Sequence, residues 1–172
     1  MSALFSEIAA DTSPRGVMTG LRTRWALMSL FAVISALALI GFFGQRLSES
    51  AATAPAGTLR LSAPKVVRGG LFFQSRIEIR ALRAIDHPRI VLSGGWVEQM
   101  QFNSTEPQPM SEAGRDGRVV LSYDSLDRGQ RLVVWTQFQV NPTNVGHRSY
   151  DVELDDGATE IVRVRRDVTA LP

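Results

Sequence analysis

The sequence predicts a mainly β protein, in which one N-terminal transmembrane helix is followed by an antiparallel β-sandwich of seven or eight strands. Three observations lead there. Residues 25–44 contain no charge, apolar residues recur at every second position from Thr58 onward, and no stretch beyond the uncharged run carries a helical period. A chain of 172 residues is long enough for one ordinary domain but short for two buried cores plus an anchor.

Composition narrows the chemistry. The chain has no cysteine, and its only histidines are His87 and His147, which removes disulfide frameworks, thiolate metal sites and cysteine nucleophiles. Lys and Arg number 19 against 17 Asp and Glu, for a net charge of +2. Nucleic-acid binding needs basic residues clustered on one element. Here the arginines are spread through the strands near acids, so no nucleic-acid partner is expected. Lys65 is the sole lysine, and a strong excess of Arg over Lys with abundant Ala, Gly and Val fits a GC-rich bacterial genome.

Residues 1–24 read as a short cytoplasmic tail, in which residues 1–20 mix Ser, Asp, Thr, Pro and Gly without a sustained period, with a helical turn near Leu4 to Ile8. Trp25 to Gly44 then supplies twenty uncharged residues bounded by Arg22, Arg24 and Arg46. At about 1.5 Å per residue this covers roughly 30 Å, the thickness of a hydrocarbon core. Its Leu, Ile, Val and Phe residues favour insertion by about 3 to 6 kcal/mol, and lipid offers no partner for unpaired backbone groups, so the span must be helical. Arg15, Arg22 and Arg24 precede it while Arg46 and Arg60 follow. The positive-inside rule therefore puts the N-terminus in the cytoplasm and the rest outside.

A cleaved secretory signal is the alternative, with Ala52-Thr53-Ala54 as its cleavage pattern. Pro55 just after that site argues against cutting, and the apolar run exceeds the usual signal length, so a retained signal anchor is expected. Ala32 and Ala36 stand in a small-xxx-small relation, which is also common in helices that do not associate. Residues 45–57, rich in small and polar side chains, read as a flexible tether.

Residues 58–172 read as the extracytoplasmic domain. Leu71, Phe73, Ile77, Ile79 and Ala81 fall on one face of a long strand, with Gln74, Arg76, Glu78 and Arg80 on the other. Ile90 to Leu92 is a short apolar run ending at Gly94-Gly95. Trp96, Met100 and Phe102 then alternate with Val97, Gln99 and Gln101, and Val119 to Tyr123 follows. Leu132, Val134, Thr136, Phe138 and Val140 alternate with Arg131, Val133, Trp135, Gln137 and Gln139.

The last two strands, about Arg148 to Leu154 and Thr159 to Val168, flank the turn Asp155-Asp156-Gly157-Ala158. Keeping the apolar face buried predicts Val152 opposite Val162, Tyr150 opposite Val164 and Asp151 opposite Arg163. A two-residue loop at Asp156-Gly157 would put Val152 opposite Ile161 instead. This spacing of short strands gives the sandwich an immunoglobulin-like plan, with a small closed barrel as the alternative.

The stretch from Leu126 to Gly157, LDRGQRLVVWTQFQVNPTNVGHRSYDVELDDG, resembles the second half of bacterial immunoglobulin-like extracytoplasmic modules: a Gly turn into a strand, a Pro corner, and a Gly before the next strand. Arg68-Gly69-Gly70 is similar to the corresponding turn of the first half. The whole layout resembles short bacterial single-pass membrane proteins carrying such a domain. The resemblance implies a fold and a location, and no catalytic residue.

Asp151, Glu153 and Asp155 share a strand face and suggest oxygen ligands, but Arg163 and Arg165 on the neighbouring strand pair with them more simply, and EF-hand spacing is missing, so no metal is expected. His87 in Asp86-His87-Pro88 and His147 after Gly146 read as loop-edge residues. No carboxylate pair, serine triad, phosphate loop or H-E-x-x-H pattern is signalled, and no cofactor is expected. Asn103-Ser104-Thr105 matches a glycosylation sequon, whose meaning depends on a host that the composition suggests is bacterial.

Strict alternation turns Trp135 outward, beside Val133 and between Gln137 and Gln139. An exposed aromatic on a sheet can anchor a partner, while the simpler role is packing beneath a loop such as Pro107 to Met110. The expected function is thus a non-catalytic interaction module, held by lipid through residues 25–44 and docking onto another membrane or envelope protein. The alternative is an envelope enzyme or solute binder with a site on loops such as Thr105 to Gly117.

Overall fold

The computed structural model describes residues 14–39 and 45–172. The chain divides into two units, Met1–Gly44, which holds the helix, and Gln45–Pro172, which holds the strands. The helix, α1 (Pro14–Leu39), starts earlier than the tail assignment allowed. Pro14 explains the start, since proline is favoured at the first helical position where its missing N–H is no loss. The predicted turn at Leu4 to Ile8 and the end of the span, residues 40–44, lie outside the described residues. Within α1, Gly20–Leu39 is long and apolar enough to cross a membrane. Large side chains on every side of it, among them Trp25, Phe31 and Ile34, are exposed. A helix without one apolar stripe does not suit the surface of a soluble core.

Thirteen strands follow among the described residues: β1 (Leu47–Thr53), β2 (Gly57–Pro64), β3 (Val66–Arg68), β4 (Phe72–Ala81), β5 (Pro88–Leu92), β6 (Met100–Glu106) and β7 (Ser111–Arg115), then β8 (Arg118–Ser122), β9 (Arg131–Val140), β10 (Gly146–Ser149), β11 (Val152–Asp156), β12 (Thr159–Val164) and β13 (Asp167–Leu171). They exceed the expected seven or eight because two predicted strands, Arg148 to Leu154 and Thr159 to Val168, are each broken in two, and because β1, β3 and β7 were not among those expected. Two five-stranded antiparallel sheets have the orders β1-β2-β4-β9-β6 and β12-β11-β5-β8-β7. A third, β10-β13-β3, includes a parallel pair between β13 and β3. The sheets are open-edged, so the domain is a β-sandwich rather than a barrel.

Alternation produces the core. In β4, Phe73, Ser75, Ile77, Ile79 and Ala81 point inward and are buried. In β9, Val134, Thr136, Phe138 and Val140 do the same. Ile90, Leu92, Leu121, Val152 and Leu154 meet them from the second sheet in one apolar cluster. Ser75 and Thr136, paired across β4 and β9, satisfy each other by a hydroxyl–hydroxyl hydrogen bond inside it. Leu71, assigned from its spacing to the inward face, instead precedes β4 and is exposed.

Trp96 corrects a strand assignment. It ends a 3-10 turn, Gly94–Trp96, and the strand begins only at Met100. Its ring lies 5.0 Å from Phe138 and 4.8 Å from Tyr150, and its indole N–H donates to the Asp151 carbonyl at 3.1 Å. The turn needs Gly95, because a methyl there would overlap the Ser149 carbonyl oxygen.

Residues 45–57, expected to be a flexible tether, contain β1, paired with β2 from Leu47–Pro64 to Thr53–Thr58. Ser48, Ser50 and Ala52 are half-buried on its inner side. These small residues give no hydrophobic alternation, so the sequence hides a strand held by its backbone ladder.

The closing hairpin corrects the predicted register. Val152 pairs with Val164, Glu153 with Arg163 and Leu154 with Val162, whereas nearer the turn Asp155 pairs with Glu160 and Asp156 with Thr159. The loop is the tight pair Gly157-Ala158, and Ile161 is an extra residue on β12. That bulge lets the tight turn and the buried face coexist. Both expected hairpin strands also change sheet: β10 passes to β11 at Tyr150-Asp151, and β12 to β13 at Arg165-Arg166. The breaks face each other, with Tyr150 N–H donating to the Arg166 carbonyl at 2.6 Å and Arg166 N–H to Asp151 Oδ1 at 3.1 Å.

Candidate functional site

The outer face of the first sheet carries the residues singled out by alternation. Trp135 points away from the core and is 41% exposed, too open to lie beneath Pro107 to Met110. Gln137 is exposed, while Val133 and Gln139 are half-buried beside it. Across the ladder, Trp135 stands opposite Arg76 on β4 and Glu106 on β6. Gln137 pairs with Gln74, Gln139 with Phe72, and Val133 with Glu78.

Arg76 is the residue that organises this face. Its guanidinium carbon lies 5.6 Å from the Trp135 ring centroid, a cation–π arrangement. Glu78 Oε2 accepts from Arg76 at 2.8 Å and from Arg131 at 2.8 Å. That carboxylate, shared with Arg131, holds Arg76 where its guanidinium lies over the indole. Beyond it a depression of about 490 Å³ is walled by Trp135, Phe72, Leu47, Pro64 and Arg76. Phe72 is 54% exposed and Leu47 64%.

The sequence reading missed Phe72, Leu47 and Arg76 as members of the site. Phe72 has a signal, being the one apolar residue in the outward phase of β4. Leu47 has none, because it lies in the segment read as a tether.

The acidic residues of the second sheet differ in how they are held. Glu153, only 8% exposed at its side chain, is gripped by Arg163 at 3.0 Å and Arg118 at 3.4 Å. Asp151 serves the strand break rather than Arg163. Asp155 has one buried carboxylate oxygen without a hydrogen-bond partner, and burial, then the neighbouring Glu153 and Glu160, push its pKa up against the pull of Arg163 and Arg89. Glu153, Asp155, Arg118 and Arg89 border a charged depression of about 560 Å³ on the second sheet, which also touches Arg115 and Asp116 at the far end of the Thr105–Gly117 segment. His87 is exposed between β4 and β5, and His147 lies on β10 with Nδ1 3.0 Å from Thr169 Oγ1. Among the described residues no group of three or more His, Asp or Glu is placed to hold a metal ion.

No protein-family model matches the chain, and no curated protein matches it. Among solved structures, it is similar to a non-cellulosomal cohesin from the hyperthermophilic archaeon Archaeoglobus fulgidus, with 10% sequence identity over 74% of this chain and 92% of that one and a TM-score of 0.42.

Proposed function

We propose that the chain is a membrane-anchored interaction module of a bacterial envelope. In this reading residues 25–44 stay in the cytoplasmic membrane with the N-terminus inside. The extracytoplasmic sandwich docks without catalysis onto another membrane or envelope protein. The observation that carries it is the Trp135 depression: an exposed indole under a cation, with Phe72 and Leu47 beside it, on the flat face of a sheet. Clustered aromatic and arginine side chains of this kind dominate interface energetics.

The structure of β1 supports retention of the anchor. Cleavage after Ala54 would remove all seven residues of β1 from the sheet and take Ala52 and Ala54 away from the core they pack against. A signal peptide whose loss strips a strand from the mature domain makes poor structural sense.

The test is crosslinking in native membranes with wild type and Trp135→Ala in parallel. Truncating a hot-spot tryptophan costs about 2 kcal/mol or more of binding, roughly thirtyfold in affinity. The variant should lose its crosslinked partner while keeping its melting temperature. Equal recovery of the same partner by both proteins, or turnover of an envelope substrate by the purified protein, would overturn the reading. Protease added to intact spheroplasts should digest the region after residue 57; protection of it would reverse the orientation.

A further inference from the structure

The large apolar side chains that the β domain leaves exposed are not scattered. Six of the nine, Leu47, Val66, Leu71, Phe72, Val145 and Leu171, gather at one end of the strands. The hydrogen-bonded register defines that end. Leu47 pairs with Pro64 where β1 begins, and Phe72 pairs with Gln139 where β9 runs out. Gly69 N–H donates to the Leu171 carbonyl at 2.8 Å, and Gly146, next to Val145, pairs with Ala170. Leu82 and Met110 lie at the opposite end, beyond Ala81 and beside Ser122. An apolar rim gathered in this way marks a contact surface.

Covalent connectivity identifies what the rim meets. Leu47 is the third residue after Gly44, the end of the apolar run. Since an extended chain advances at most about 3.6 Å per residue, Leu47 stays within roughly 11 Å of where that run ends. The charge agrees. Lys65 is exposed and Arg68 half-buried beside the rim, and no acid occurs between Lys65 and Gln74. Apolar side chains flanked by cations suit the boundary between acyl chains and anionic headgroups.

We propose that this end of the domain rests on the surface of the bilayer that anchors the chain, with Leu71, Phe72 and Leu171 at the acyl boundary and Lys65 and Arg68 on anionic headgroups. The proposal depends on the reading that residues 25–44 span the membrane. It also places the Trp135 depression, which shares Leu47 and Phe72 with the rim, at the level of the headgroups, where a membrane-embedded partner is met.

Because the chain lacks cysteine, single labels can be introduced cleanly. The full-length chain is reconstituted in phosphatidylcholine–phosphatidylglycerol vesicles with a spin label at Val33→Cys, Leu71→Cys or Met110→Cys. Collisions with oxygen and with a polar nickel chelate are then compared. Val33 should report the bilayer interior and Met110 water, whereas Leu71 should lose nickel collisions relative to Met110. Exchanging phosphatidylglycerol for phosphatidylcholine, or introducing Lys65→Glu with Arg68→Glu, should restore them. A deep Val33 with a fully aqueous Leu71 overturns the rim contact and leaves the anchor intact, while an aqueous Val33 overturns the anchor and the rim together. Dipolar coupling between Leu71 labels gives the rim to a second copy and overturns the lipid contact. Indifference to headgroup charge overturns the role of Lys65 and Arg68.

Discussion

Arg166 binds Ser48 across 118 positions of sequence: one guanidinium nitrogen donates to the Ser48 carbonyl at 2.9 Å and the other to the Ser48 hydroxyl at 2.7 Å. The second nitrogen also reaches the carbonyl of Ala63 on β2. Arg166 is 5% exposed, and burial pulls its pKa below the ordinary arginine value. A desolvated cation is tolerable here because peptide oxygens from two strands surround it. It closes the break between β12 and β13 and fastens β1 to the rest of the sandwich.

Replacing Arg166 by Met removes these hydrogen bonds and strands buried carbonyls. A loss of about 3 kcal/mol in unfolding free energy is expected. Urea denaturation measures it, and hydrogen exchange should show the amides of β1 losing protection before those of β4. Arg80→Ala, at an exposed position of β4, should change stability by less than about 0.5 kcal/mol. Equal effects would deny Arg166 its role as a latch.

Two glycines should respond oppositely to alanine. Gly95→Ala drives a methyl into the Ser149 carbonyl and displaces the turn that carries Trp96, costing about 3 kcal/mol or preventing folding. Gly114, on β7, has open space at its Cβ position and needs no left-handed backbone. Gly114→Ala should raise stability by about 0.5 kcal/mol through a less flexible unfolded chain. Melting temperatures of the two variants decide the matter.

Asp155→Asn should stabilise the protein at neutral pH. Burial first, and then Glu153 and Glu160, raise the Asp155 pKa from its ordinary 3.8. An acid whose folded pKa lies above its unfolded one favours folding fully only below the unfolded value, and that benefit is lost as pH rises through the folded value. At pH 7 the wild type carries an ionised carboxylate that folding disfavours, whereas asparagine has none. The advantage of the variant in urea midpoint should shrink as the pH falls through the raised folded value towards 3.8 and change no further below it. An advantage independent of pH would point to packing instead.

Tyr150 should resist alkaline titration. Burial pushes its pKa up to about 12, only partly opposed by Arg148. Its stabilising contribution is complete below the ordinary value of 10.0 and is lost as pH climbs towards 12. Ultraviolet titration of the folded protein should place its ionisation well above that of a free tyrosine. Tyr150→Phe should flatten the decline of stability above pH 10, since its hydroxyl contacts Met100 Sδ at 2.8 Å, a weak acceptor.

What the sequence made legible follows from which interactions leave a periodic trace. The inward and outward phases of β4 and β9 could be read because side chains alternate, and with them the outward direction of Trp135. β1 could not be read, because the ladder to β2 and the grip of Arg166 involve backbone atoms and small residues. The sheet changes at Tyr150-Asp151 and Arg165-Arg166 were invisible for the opposite reason: apolar alternation continues across them, with Tyr150, Val152, Val164, Arg166 and Val168 all buried. Leu47 joins Trp135 only through pairing with Pro64, a tertiary relationship that local spacing does not encode.

Gly69, in the turn before β4, and Pro142, in the corner after β9, lie against one another. A Cβ on Gly69 would come within 2.8 Å of the Pro142 carbonyl, so this position excludes any larger residue.

The attachment of β1 determines how the protein bears load. Tension entering through residue 46 pulls Leu47 outward along the strand axis, and all seven ladder positions between β1 and β2 are stressed in shear at once instead of being unzipped one after another. Arg166, bonded at Ser48 near the loaded end, takes part of the same strain. A pull on residue 46 would thus meet a first strand that resists along its whole length rather than one bond at a time.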